Sequence, residues 1–224
     1  MPAHPLTLAV DATHEFGSLA LAAGEDVLEE VPLHSPSGFG HILFGRIARL
    51  LERHRLEPGA LDCFAAASGP GSFTGVRVGL ACVKGLAEAL RKPAVAVSNL
   101  QAVASFGTAP LRATVLDARR GEVYGAVYDD AGRLVSGELV ASFPAWLQGL
   151  PGGVQFVSTD FAPFRPALAG TRFESAEVVT APRALAGAVA RLAAAAYLRG
   201  EAADPAALDA NYVRRSDAEL FWKE

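Results

Sequence analysis

Apolar positions alternate with small or polar ones through LTLAVDAT and again through GSLALAAGEDVLEEVPL, with breaks at Glu15-Phe16-Gly17 and Gly24-Glu25-Asp26. A period of two sets one side of a strand against a core, so this stretch predicts three strands joined by tight turns, an antiparallel meander. From Ser37 to His54 the period lengthens: Phe39, Leu43, Ile47, Leu50 and Leu51 share one side of a helix, and Arg46, Arg49 and Arg53 share another. Pro58-Gly59 ends that segment. A short apolar strand, CFAAAS (63–68), then leads through a glycine-rich turn into a helix from Thr74 to Arg91, a strand AVAVS (94–98) and a short helical NLQAVASF. Strand, helix and strand in that order predict a right-handed parallel crossover.

The pattern then restarts. Residues 112–140 read as strands punctuated by turns at Arg120-Gly121 and Asp130-Ala131-Gly132. VQFVSTD and RFESAEVV add further strands, and APRALAGAVARLAAAAYLRG predicts a helix with Pro182 in its first turn and Gly200 at its stop. Two halves that each place hairpins before α/β units predict an α/β protein of two lobes, each a mixed sheet packed with helices. No residue-level repeat accompanies this order. The cluster Ser105, Gly107, Thr108 and Pro110 puts the expected boundary between lobes 1–104 and 105–224.

Composition narrows the choices. The 224 residues are 51% hydrophobic, but charges at Arg46, Arg49, Arg77, Lys84 and Arg91 interrupt every apolar run before membrane-spanning length. MPAHPLTLAVD lacks the basic and long apolar regions of a secretory signal, so a cytoplasmic location without membrane contact is expected. Cys63 and Cys82 lie among Ala, Val, Phe and Leu without metal-binding spacing, which predicts buried thiols. A net charge of −4 argues against a chain that grips nucleic acid by electrostatics alone, and the pairs Arg119-Arg120 and Arg214-Arg215 read as a solvated turn and a solvated tail.

The glycine turn Gly69-Pro70-Gly71-Ser72-Phe73-Thr74-Gly75 follows a strand and opens a helix, the setting of many anion sites. Three phosphate or acyl chemistries fail by inspection. No Gly-Lys-Ser/Thr follows, Thr74 stands where a dinucleotide fingerprint needs glycine, and Pro70 stands where a nucleophile elbow centred on Ser72 needs one. On the helix that follows, Arg77, Lys84, Glu88 and Arg91 form a single charged stripe. Val76, Leu80, Val83, Ala87 and Leu90 make one apolar face, and Val78, Cys82, Leu86 and Ala89 a second beside it. One face suffices to lie on a sheet, so the second predicts cover from a neighbouring helix or from another chain. Gly75-x-x-x-Gly79 would permit close backbone approach to either.

GPGSFTGVRVGLACVKGLA (69–87) resembles the signature segment of the TsaB family, the non-catalytic subunits of the bacterial machinery that makes threonylcarbamoyladenosine in tRNA. LAVDATHEFGSLALA, DARRGEVYGAVYD (117–129) and NYVRRSDAEL (211–220) are similar to that family's other recurring stretches, in the family's order. The resemblance implies a two-lobed actin-like ATPase fold. It implies a TsaD-like catalytic partner contacted through the helix after the glycine turn and the helix before it, which carries over to Phe39, Leu43, Ile47, Gly75, Val78, Gly79, Cys82 and Leu86. A TsaE-like ATPase is expected to join, tRNA to be reached only through the complex, and the chain to form a homodimer when alone.

Departures bear on chemistry. His4, His14, His34, His41 and His54 include no pair four apart, so the H-x-x-x-H metal centre of the catalytic sibling is not expected here. Asp11 stands where actin-like ATPases place a magnesium-coordinating aspartate, but Ala12-Thr13-His14-Glu15 replaces the glycine-bearing phosphate loop. Asp117 and Gly121 resemble the second phosphate loop, with Arg119-Arg120 intruding. Asp11, Asp117 and Gly121 are therefore expected to mark a vestigial nucleotide cleft, with no cofactor and no ATP hydrolysis by the chain alone. The alternative is an enzyme, an autonomous actin-fold ATPase or a glycoprotease-like peptidase.

Overall fold

The alternating segments become strands where the pattern places them. In the computed structural model, which describes residues 2–214, β1 (Leu6–Asp11), β2 (Phe16–Ala23) and β3 (Asp26–His34) form the antiparallel meander. After α1 (Leu43–Arg53), β4 (Cys63–Ala67) pairs parallel to β1, α2 (Phe73–Leu90) crosses over, and β5 (Ala94–Val97) pairs parallel to β4. The sheet order is β3-β2-β1-β4-β5. Following α3 (Asn99–Ala104), β6 (Leu111–Arg119), β7 (Glu122–Asp129) and β8 (Leu134–Ser142) form a second meander. Helix α4 (Phe143–Gly149) leads to β9 (Gln155–Ser158) and β10 (Val178–Thr180), both parallel to β6, in the order β10-β9-β6-β7-β8. The duplication inferred from element order is thus a repeated sheet topology. Helix α5 (Ala186–Leu198) completes the described helices.

The described residues divide into two units: 2–99 with Arg183–Asn211, and Leu100–Pro182 with 212–214. The first unit therefore takes back a helix that a single cut at 104/105 assigns to the second lobe. Helix α5 packs on β1, β2 and β4. On those strands Leu8, Val10, Leu19 and Leu21 enter the core shared with α1 and α2, while the alternate positions Ala9, Ala20, Ala22 and Ala65 are buried alanines. An alanine-rich helix needs a shallow floor of that kind to come close enough for contact. Its first turn is held by the same sheet: Ala186 N–H donates to Ser18 Oγ (2.9 Å) and Gly187 N–H to Glu30 Oε1 (2.9 Å).

Local boundaries shift from the expected ones. Residues 37–42 are turns, so α1 starts at Leu43, and Pro182 lies ahead of α5 rather than inside its first turn. RFESAEVV contributes only Val178 and Val179 to β10. Helix α4 escapes the periodicity because one short turn carries its whole pattern, Phe143, Trp146 and Leu147, with Pro144 at its start. Its aromatic residues join Phe156, Phe161, Phe164 and Phe173 in the core of the second unit.

Both cysteines are buried free thiols, as their neighbours implied. Burial pushes the Cys63 thiol up to about 12, with Asp62 adding to the shift, and Cys82 up to about 11. An acid whose folded pKa is raised favours the fold while it stays protonated in both states. This contribution is whole below pH 9, the ordinary thiol value, and is lost as pH climbs toward the folded values. The urea midpoint is therefore expected to fall between pH 8 and pH 10.5 by more in the native chain than in a Cys63→Ala/Cys82→Ala variant. Iodoacetamide at pH 8 should label neither thiol until urea unfolds the chain.

Candidate functional site

The glycine turn is built to bring α2 down onto the end of β1. Ser72 caps the helix, accepting from Gly75 N–H at 3.3 Å, while its own N–H donates to the Thr13 carbonyl at 2.7 Å. A Cβ on Gly71 would lie 2.6 Å from the same Thr13 oxygen, and one on Gly75 would overlap the Ala12 carbonyl oxygen outright. Buried Gly79 rests against Ala12 Cβ. The Gly75-x-x-x-Gly79 pair thus serves an approach inside the chain: it faces the floor of its own unit.

Beneath this turn lies Asp11, 1% exposed. Its Oδ1 accepts from Thr13 N–H (2.9 Å) and from the Thr13 hydroxyl (2.6 Å), and its Oδ2 is buried with no hydrogen-bond partner among the described residues. Thr13 Oγ1 accepts in turn from Asn99 Nδ2 at 2.7 Å. Asp11 belongs to the first unit, and Asp117 and Gly121 to the second. Asp117 is exposed and turned onto its own hairpin, accepting from Arg119 N–H at 2.8 Å and pairing with its guanidinium at 3.4 Å. Arg119, at the irregular end of β6, and the tip residues Arg120 and Gly121 all take positive φ, so Arg120 stands where a two-residue tip ordinarily favours Asn before the glycine. Arg214 donates to the Ala118 carbonyl at 2.8 Å and pairs with Glu122, while Arg215 and the rest of the RSDAEL stretch lie outside the described residues. Among the described residues, no three His, Cys, Asp or Glu side chains gather where one ion could bind them.

The residues expected to contact a partner fall into two groups. Phe39, Leu43, Ile47, Gly79 and Cys82 are buried within their own unit, and Gly75, Val78 and Leu86 are partly buried. Val78 and Leu86 pack against the core formed with α1, together with Leu208 from the segment after α5. The short 3₁₀ turn Pro205–Ala207 lies on α2, and Lys84 Nζ donates to the Ala206 carbonyl at 3.2 Å. The second apolar face of α2 is therefore covered by the chain itself at Cys82 and partly at Val78 and Leu86, while Ala89 at its end stays exposed. Sequence reasoning missed this cover because it comes from residues more than a hundred positions away, joined by no local signal.

What stays exposed is a third, narrower stripe: Thr74, Arg77, Ala81, Gly85, Glu88 and Ala89. At its head the Arg77 guanidinium lies 3.7 Å from the centre of the Phe73 ring, itself 41% exposed. On α1 the outward residues are Phe44, 58% exposed, Gly45, Arg46, Ala48, Arg49, Glu52 and Arg53. The end of α1 is pinned to β3: Arg53 pairs with Glu29 at 2.6 Å and His54 at 2.8 Å. These two hydrogen bonds hold the Glu29 carboxyl below the usual carboxylate range. Small side chains along α2 and the exposed rings of Phe44 and Phe73 are apolar positions open to solvent, an exposure that helical period alone did not separate from core.

Two mixed sheets of one repeated order, each covered by helices, define an actin-like ATPase fold. Residues 31–208 match the family described as TsaD: tRNA N6-adenosine threonylcarbamoyltransferase, and the chain belongs to that family. The tRNA threonylcarbamoyladenosine biosynthesis protein TsaB of Bacillus subtilis is 33% identical to it over 123 residues, 54% of each chain. The match thus spans about half the length of this curated relative. A solved structure described as an uncharacterized protein with similarity to peptidase YEAZ, from Pseudomonas aeruginosa, overlays with TM-score 0.79 at 26% identity, covering 94% of this chain and 100% of that one. The activator of 2-hydroxyisocaproyl-CoA dehydratase from Clostridium difficile, solved with ADPNP, overlays with TM-score 0.51 at 12% identity, a likeness of fold alone. Among the described residues no helix is long and apolar enough to cross a membrane.

Proposed function

We propose that this chain is a non-catalytic subunit in the formation of threonylcarbamoyladenosine in tRNA, docking a TsaD-like catalytic subunit along the outward faces of α1 and α2. The observation that carries the reading is the exposed stripe Thr74, Ala81, Gly85 and Ala89, with Phe44 and Phe73 standing out as anchors. Small side chains let a partner helix come close, and exposed aromatic rings supply most of the energy of such contacts. The buried set Phe39, Leu43, Ile47, Gly79 and Cys82 enters as the framework beneath these exposed positions, with Val78 and Leu86 packed against it. The relatives' naming supports the pathway. A non-catalytic role is supported by the Asp117 carboxylate, which its own hairpin takes up. The complex works in the cytoplasm with a TsaE-like ATPase, and tRNA is reached through it.

Phe44→Asp combined with Ala81→Arg changes two exposed positions and should leave the fold intact. Binding to the TsaD-like subunit is expected to weaken at least 100-fold, with loss of tRNA modification by the reconstituted set. Wild-type binding and activity in this folded variant would overturn the interface. The same face is expected to pair two copies when the partner is absent, so light scattering should show the dimer of the native chain dissociating in the double variant. Turnover of magnesium ATP by the purified chain, abolished by Asp11→Ala, would overturn the non-catalytic reading.

A further inference from the structure

The chain leaves or re-enters the first unit after Asn99, before Arg183 and after Asn211. Two of these exits are tied to one residue. Asn99 N–H donates to the Gly69 carbonyl at 2.8 Å, and Gly69 N–H donates to Asn99 Oδ1 at 2.9 Å. Asn211 N–H donates to the Ser68 carbonyl at 2.8 Å, and its Nδ2 reaches the Gly69 carbonyl at 3.5 Å. Gly69 has φ +104°, and a Cβ there would stand 3.0 Å from the Asn211 carbonyl oxygen, so only glycine fits between the two exits.

Thr13 joins this knot to α2. Its carbonyl is the acceptor for Ser72 N–H at the helix cap, and its hydroxyl accepts from Asn99 Nδ2. The donors run one way: Gly69 N–H to Asn99 Oδ1, Asn99 Nδ2 to Thr13 Oγ1, and the Thr13 hydroxyl to Asp11 Oδ1. His14 Nδ1 lies 3.0 Å from the same hydroxyl oxygen, within its remaining acceptor capacity. Asp11, Thr13 and Asn99 are all buried, so breaking one bond strands a polar group away from water and weakens the rest.

We propose that Thr13 and Gly69 form a clasp coupling the seat of α2 to both exits. Movement of the first turn of α2 pulls on the Thr13 carbonyl, passes through the Thr13 hydroxyl to Asn99, and passes through Gly69 to Asn211. The clasp rests on the bonds of the free chain and does not depend on which partner α2 receives.

Amide hydrogen exchange on the full chain tests it, with Leu8 in β1 as internal reference. Thr13→Val keeps the shape and removes the hydroxyl. Relative to Leu8, the amides of Asn99 and Asn211 are both expected to exchange at least 10-fold faster, with Thr13→Ser restoring the native rates. Asn211 is held through the Ser68 and Gly69 carbonyls, so a disturbance confined to the immediate neighbours of Thr13 would leave it unchanged. Faster exchange at Asn99 with none at Asn211, or no change at either, would overturn the clasp. Coupling is reciprocal. Asn211→Ala, at a partly exposed position, must therefore speed exchange at Asn99, and its effect combined with Thr13→Val must fall short of the product of the two. Should Thr13→Val not fold, Asn211→Ala decides alone: an unchanged Asn99 rate sinks the proposal.

Discussion

Alanine at Gly75 is expected to cost about 3 kcal/mol of stability, although alanine is the better helix former by about 1 kcal/mol in an open helix. The added Cβ would overlap the Ala12 carbonyl oxygen, a backbone atom held by the end of β1, so the helix must lift rather than a side chain rotate. Lifting α2 would break the Ser72 to Thr13 hydrogen bond and open the packing of Val76, Leu80 and Val83. Gly85→Ala is the control: it sits in the same helix, exposed, with nothing near its would-be Cβ, and is expected to gain up to about 1 kcal/mol. Urea unfolding at matched slope measures both. A Gly75→Ala chain as stable as the Gly85→Ala chain would mean that α2 is not seated as described. Under the proposed docking, the lifted helix should also bind the TsaD-like subunit more weakly, since the exposed stripe moves with it.

Phe156→Ala is expected to cost about 3 to 5 kcal/mol. Phe156 is fully buried on β9, with ring centres of Phe161, Phe173, Phe143 and Trp146 at 5.2, 5.7, 6.2 and 6.5 Å. Removing the central ring leaves a cavity that the remaining aromatic side chains, fixed from α4 and from the loops after β9, cannot close by small shifts. Near-UV circular dichroism should lose intensity and the urea midpoint should fall, while Phe156→Leu keeps much of the volume and loses less. A loss under about 1 kcal/mol for the alanine variant would show that this cluster is loosely packed.

These two sites were unequally legible in the sequence. Around Gly75 the spacing of glycines announced a close approach, but not to what. The pair that could have met another chain meets Ala12 of its own. Period identified Phe39, Leu43 and Ile47 as one apolar face, and an apolar face is what a core and an interface share, so burial alone separated them. Ala89 shows the converse. Assigned to the second apolar face of α2, it is exposed, because it lies beside Glu88 on the side that turns outward.

The sequence by itself determined the order of the strands and of every helix but α4, the two meanders, the parallel crossover of the first, and the failure of the glycine turn as a phosphate loop. Those are local properties: a period of two or 3.6, a turn residue, a missing lysine are all written within a few neighbours. Only the tertiary structure decided that α5 returns to the first sheet, that Pro205–Ala207 and Leu208 cover the second face of α2, and that Asn99 and Asn211 meet at Gly69. Each of these joins residues 30 to more than a hundred positions apart, where the choice is made by the fit of complementary surfaces and the pairing of buried polar groups rather than by any local preference.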